Sequence, residues 1–241
     1  VGINTAIVTR SGGSNGIGFA IPASLVRQYV AQAAAGQREL DRPWAGVTVQ
    51  PIDGPLAEAL GLAMPQGVLL GALHPLSPFA QAGLEVGDVV TAIGGLPVDG
   101  GPEMLFRLLT LGVEHETGVS YLRDGVLKQT SVTLSTAPDV PARNTLRIET
   151  RSIFNGLTIA NANPALIQEL GLSLDTQGVV VLSVEGIATR SMLRPGDILR
   201  RVNRVEINDT AVLRDLSQAR VAGFEIEFER AGQRALIRLR N

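Results

Sequence analysis

The chain has no cysteine, two histidines and one lysine among its 241 residues. Without cysteine there is no disulfide and no thiolate metal site, so packing alone must hold the fold. With only His74 and His115, a histidine-rich metal cluster is excluded, and neither a metal nor another cofactor is expected. No run approaches the roughly 18 consecutive apolar residues that a spanning helix needs, so no integral membrane segment is expected. The net charge of −2 leaves no basic footprint, which argues against nucleic acid as a partner. Arginine supplies 20 of the 21 basic residues, which favours planar, bidentate ion pairs but names no ligand.

A hydrolytic triad is also missing. A serine nucleophile needs a histidine base within reach and an acid to orient it. His74 precedes Pro75 in a loop and His115 lies between Glu114 and Glu116, and neither has a visible nucleophile to serve. No catalytic residue is assigned, and the chain alone is expected to cleave nothing. The Gly- and Ser-rich stretch from Ser11 to Gly18 lacks the Lys-Ser/Thr of a phosphate-binding loop.

What is present is a duplication. Ala57-Glu58-Ala59-Leu60-Gly61-Leu62 recurs as Ile167-Gln168-Glu169-Leu170-Gly171-Leu172, and Gln66-Gly67-Val68 recurs as Gln177-Gly178-Val179. Leu84-Glu85-Val86-Gly87-Asp88 returns as Leu193-Arg194-Pro195-Gly196-Asp197. A spacing of about 110 residues is too long for a solenoid repeat and fits two copies of one self-sufficient domain. In the first copy, short β-branched or alternating runs at 47–50, 68–73, 89–93, 118–122 and 129–134 read as strands. Helical spacing falls on 56–60 and 103–111, with counterparts at 164–170 and 209–219. The expected class is mainly β with short helices (α+β), each copy a small barrel or sandwich. The connector over 136–152, with Pro138 and Pro141, is expected to give some freedom between copies.

These motifs, in this order, resemble the bacterial, circularly permuted PDZ domains found in tandem in HtrA/DegP-like serine proteases. The stretch from Val1 to Ile7, followed by Gly16-Ile17-Gly18-Phe19-Ala20-Ile21-Pro22, resembles the last strands of their trypsin-like domain. An apolar strand with no polar entry reads as the middle of a fold, so an upstream segment is expected. The resemblance divides the chain into a protease-domain remnant at 1–41, a first PDZ-like domain at 42–138, a linker at 139–145 and a second PDZ-like domain at 146–241.

In PDZ-like domains a peptide adds as a strand between one edge strand and one helix, its carboxylate held by backbone N–H groups. By similarity the first carboxylate loop is Trp44-Ala45-Gly46-Val47, and the segment Val47-Thr48-Val49 would pair with the peptide, Thr48 pointing opposite to its neighbours. On the helix, Met104, Leu108 and Leu111 form one row and Leu105 and Leu109 a second, rotated by about 100°. Leu105, Leu108 and Leu109 are therefore candidates for the groove wall, against the plainer reading of such a stripe as core. Trp44 is read equally as a hydrophobic plug or as a loop residue beside the groove. The second groove would use Phe154, Asn155, Gly156 and Leu157, with Arg214 and Ser217 matching Leu105 and Leu108, and is expected to be polar and weaker.

The resemblance implies a peptide-binding, substrate-tethering tandem of a serine endopeptidase that degrades misfolded envelope proteins. Its partners would be C-terminal or extended segments of unfolded proteins, its own protease domain, and further copies in a trimer-based homo-oligomer. The site would be periplasmic. The alternative is a noncatalytic PDZ scaffold or chaperone whose parent lacks a working triad, and whether the parent is an enzyme stays open on these residues.

Overall fold

The computed structural model describes residues 2–7, 18–37, 40–219 and 221–240. The chain separates into two compact units, Val1–Thr136 and Ala137–Asn241. Of the Gly- and Ser-rich stretch from Ser11 to Gly18, residues 11–17 lie outside the described residues.

The first unit opens with an antiparallel pair, β1 (Gly2–Ile7) and β2 (Gly18–Pro22), that runs into helix α1 (Ala23–Ala34). Its main sheet contains β3 (Val47–Pro51), β4 (Val68–Leu73), β5 (Val89–Ile93), β6 (Leu96–Pro97), β7 (Glu116–Arg123) and β8 (Val126–Thr133). The order is β3-β4-β5-β7-β8, with β6 on β5, so β3 is an edge. Three helices punctuate the strands: α2 (Gly54–Ala59), α3 (Pro78–Gln81) and α4 (Gly101–Leu111). Each begins where the sequence supplies a start signal: Asp53 accepts the Leu56 N–H, Ser77 accepts the Phe79 N–H, and Pro102 occupies the first turn of α4. The core gathers Val68, Leu70, Phe79, Val90, Ile93, Met104, Leu108, Val119, Val132 and Leu134. These are the inward residues of alternating strands and the buried row of one helix.

The second unit repeats this plan and adds one strand. It contains β9 (Leu146–Arg147), β10 (Leu157–Asn161), β11 (Val179–Val184), β12 (Ile198–Val202), β13 (Val205–Glu206), β14 (Gly223–Arg230) and β15 (Gln233–Arg240), with helices α5 (Pro164–Leu170) and α6 (Thr210–Ser217). The order β15-β14-β12-β11-β10-β9 matches the first sheet except that β10, the counterpart of β3, is covered on its outer side by β9. Even the irregularities are duplicated. The register of the first sheet shifts at Thr48/Val49 and Val90/Ala92, and that of the second at Thr158/Ile159 and Leu199/Arg201. A β-bulge turns a strand and re-aims its side chains, so its recurrence preserves the curvature of each sheet.

The Gly-Asp motif ends in a buried ion pair in both units. Asp88, 1% exposed at its side chain, receives Arg123 through Nε and Nη2, both at 2.7 Å, and also accepts the Glu85 N–H. Asp197 receives Arg230 through the same two atoms at 2.7 Å and accepts the Arg194 N–H. Hydrogen bonding to the carboxylate raises the pKa of both guanidiniums. Both arginines also lie over an aromatic ring, Tyr121 or Phe228. This two-point clamp ties the loop before β5 or β12 to the hairpin strand.

Within the second unit, residues 138–143 of the connector are bonded to the strand and helix that follow. Pro138 accepts the Ala165 N–H, and buried Asn163 donates to the Asp139 carboxylate and the Pro141 carbonyl. Buried Asn161 donates to the Ala142 carbonyl through its side chain and to the Arg143 carbonyl through its backbone. Arg143 pairs with Asp139 and Glu169. Two buried amides need partners, and the connector's carbonyls supply them.

Candidate peptide-binding groove

The first unit presents an open edge beside a helix. Only β4 pairs with β3 among the described residues, which leaves the outer row of β3 backbone groups free. Val47 and Val49 are half-buried and turn towards the core, while Thr48 is exposed on the other face. Across from them stands α4, whose approach is set by a glycine: a Cβ on Gly101 would come within 3.1 Å of Val49 Cγ2. Leu105 is 52% exposed, Leu109 is half-buried and Leu108 is 1% exposed. The rotation between rows therefore separates Leu108, in the core floor, from Leu105 on the side that faces outward.

The loop feeding β3 supplies the polar end of this groove. Gly46 has φ +63, and a Cβ there would meet the Trp44 ring at 2.8 Å and Ser77 Cβ at 2.9 Å. Its carbonyl accepts from the His74 N–H, and the Ala45 carbonyl accepts from Ser77 Oγ. With both carbonyls held from behind, the Ala45 and Gly46 N–H groups have no hydrogen-bond partner among the described residues. Successive free amides at a turn of this kind form a concave anion site. Trp44 is 5% exposed, its N–H donates to the Ser135 carbonyl, and its ring meets His74 edge-on at 5.4 Å. It packs behind the loop from inside the first unit. Burial lowers the pKa of His74, whose Nδ1 accepts the Leu76 N–H.

The far end of α4 is pinned by the arm. Gln28 of α1 donates its side-chain amide to the Thr110 and Leu111 carbonyls, two of the orphan acceptors at that helix end. The sequence offered no signal for this contact, because a glutamine on a helix is ordinarily a solvated residue.

The second unit places its candidate residues around a filled groove. The Phe154 N–H donates to Ser152 Oγ, Asn155 N–H to the Ser152 carbonyl, Gly156 N–H to the Ile148 carbonyl and Leu157 N–H to the Phe154 carbonyl. No amide of that loop is left over. Leu157 and Ile159, the counterparts of Val47 and Val49, are fully buried. Arg214 is partly exposed and paired with Asp215, and Ser217 is buried with its hydroxyl on the Arg214 carbonyl. Where a polar and weaker groove was expected, the outer edge of β10 is paired with β9 and its inward residues are apolar and buried. The missed strand had a short signal, the alternation Thr145-Leu146-Arg147-Ile148-Glu149, inside a stretch dominated by its prolines.

The PDZ domain family matches residues 43–134. The "probable periplasmic serine endoprotease DegP-like" of Ectopseudomonas mendocina (strain ymp) is 33% identical over 225 residues, covering 90% of this chain and 46% of that protein. The protein of the same description from Chlamydia pneumoniae is 31% identical over 210 residues, covering 86% of this chain and 42% of its own length. That from Brucella suis biovar 1 (strain 1330) is 28% identical over 239 residues, with 98% and 44% covered. The chain spans less than half the length of these relatives. A solved structure described as the HtrA-type protease AlgW with decapeptide is 33% identical, covers 57% of this chain and 42% of that one, and has a TM-score of 0.43.

Proposed function

The chain belongs to the HtrA/DegP-like family of PDZ-bearing serine proteases, and from that premise we propose that its first unit captures the C-terminal or extended segments of unfolded proteins for a protease domain. The observation that carries this reading is the pair of amides, Ala45 and Gly46, without a hydrogen-bond partner among the described residues, at the head of an edge strand that only β4 pairs there. An incoming chain would extend the sheet along β3 and place its carboxylate on those amides, with an apolar terminal side chain over Val47, Val49 and Leu105. Holding a substrate in this way converts a weak encounter with a neighbouring catalytic centre into an intramolecular one. The names of the relatives support a periplasmic location. The apolar stripe of α1, with Leu25, Val26 and Tyr29 only partly covered, suits a docking surface for the protease domain.

Isothermal titration with a peptide ending in an apolar residue tests the reading. Binding by the intact chain is expected to fall at least about tenfold when the peptide is amidated at its C-terminus, and by a similar factor in Leu105→Arg, since covering a leucine contributes about 1.5 to 3 kcal/mol. Leu105 is exposed in the free protein, so this variant should keep its thermal midpoint. Equal affinity for acid and amide, with the Leu105→Arg chain binding as wild type, would put the peptide elsewhere.

A further inference from the structure

Residues 145–148 lie along the outer edge of β10 as an added peptide strand would. They run antiparallel to β10, pairing Leu146 with Ile159 and Arg147 with Thr158. The Ile148 N–H donates to the Leu157 carbonyl and its own carbonyl accepts the Gly156 N–H at 2.9 Å. Gly156 is the counterpart of Gly46, so the Ile148 carbonyl sits where the first unit offers its free amides. Side chains alternate as they do in a strand held in a groove. Ile148 is 1% exposed and Leu146 packs on the same core as Leu157, Ile159 and Leu213, while Arg147 turns out to pair with Glu185. At the other end, Thr210 Oγ1 at the start of α6 donates to the Asn144 carbonyl.

We propose that the second unit is a peptide-binding site supplied with its own ligand, Asn144-Thr145-Leu146-Arg147-Ile148, and that its ligand class is an extended segment with aliphatic side chains two residues apart. The assignment rests on reading the strand–helix groove of these units as a peptide site. Two features distinguish it from an ordinary extra strand. Among the described residues the equivalent edge of the first unit carries no such strand, so the sheet forms without it. The chain leading into it is anchored by polar side chains, with Asn163, Asn161 and Thr210 donating to the carbonyls of Pro141, Ala142 and Asn144. Because Glu149 follows Ile148 with no free carboxylate, the site accepts an internal carbonyl at the position where the first unit is built to take a terminus.

The consequence is that the intact chain takes up one foreign peptide and not two. Titration with the free pentapeptide of sequence Asn-Thr-Leu-Arg-Ile should reach one per chain, and Leu105→Arg should remove that event. A remaining second event in Leu105→Arg overturns the proposal. The double variant Leu146→Ser/Ile148→Ser removes the built-in anchors, and the same peptide added in excess should then raise the thermal midpoint of the second unit and occupy it one to one. A folded variant that ignores the peptide also overturns the proposal. Hydrogen exchange on the wild-type chain decides the matter should the variant fail to fold. The Ile148 and Gly156 amides should exchange as slowly as those of β11, and exchange at loop rates would dismiss the cis ligand. Failure of the first unit to bind leaves the exchange result standing, so the two readings fall separately.

Discussion

At the scale of single residues, the first site is held by a few groups that pack behind it. Trp44 was legible as important because it is the sole tryptophan, but its direction was not, since an indole suits a plug and a groove wall equally well. Trp44→Ala should cost the first unit about 3 to 5 kcal/mol, as for other large aromatic truncations, read as a shift of its denaturant midpoint. Gly46→Ala should destabilise it by about 1 to 3 kcal/mol through the left-handed backbone, and should also abolish peptide binding, because the loop must move off Trp44 and Ser77. His74 adds a dependence on acidity. Its folded pKa is depressed below 6.5, so the unfolded chain takes up the proton more readily. The stability it supports is complete above the unfolded value and is lost as pH falls from about 6.5 through the folded value. Thermal midpoints of the first unit should therefore decline between pH values of about 7 and about 5, and His74→Asn should flatten that slope.

At the scale of elements, periodicity gave the strands and helices of the sheets closely. The reading of 68–73, 89–93 and 164–170 coincides with β4, β5 and α5. Local chemistry explains why: β-branched runs end at Gly or Pro, and Asn163 caps α5. What escaped were elements too short to have a period. β6, β9 and α3 have two, two and four residues, and only tertiary pairing makes them regular. The buried Asp–Arg clamps escaped for another reason. Each Gly-Asp was visible, but its arginine lies some thirty-five residues away, before the hairpin, and only comparison of Arg123-Asp124-Gly125 with Arg230-Ala231-Gly232 reveals the match. Asp88→Asn and Asp197→Asn should each lower the unfolding temperature of one unit by several degrees and leave the other unchanged, followed by the tyrosine signal for the first and exchange of β14 amides for the second. A coincident fall of both transitions would show that the clamp acts beyond its own sheet.

At the scale of the whole molecule, the duplication was the most readable property, because the order of parts survives where identities drift. Two sheets with the same strand order and the same bulges follow from it. The difference between the copies was not readable, for it depends on where a proline-bearing stretch lays its carbonyls. No pairing of nucleophile and base was found in the sequence, and incubation of the chain with fluorescent casein should release no peptides; release that persisted in His74→Ala and His115→Ala would point to contamination, and loss in either would reveal a base. In the function proposed for it, the first site would draw its specificity for a chain end from main-chain amides, which every residue but proline carries. Scanning it with alanine would leave those amides chemically intact and would register only the backbone turn that aims them, as at Gly46, and the side chains packed behind it. For the same reason the loop can change most of its side chains over evolutionary time and go on reading the same signal.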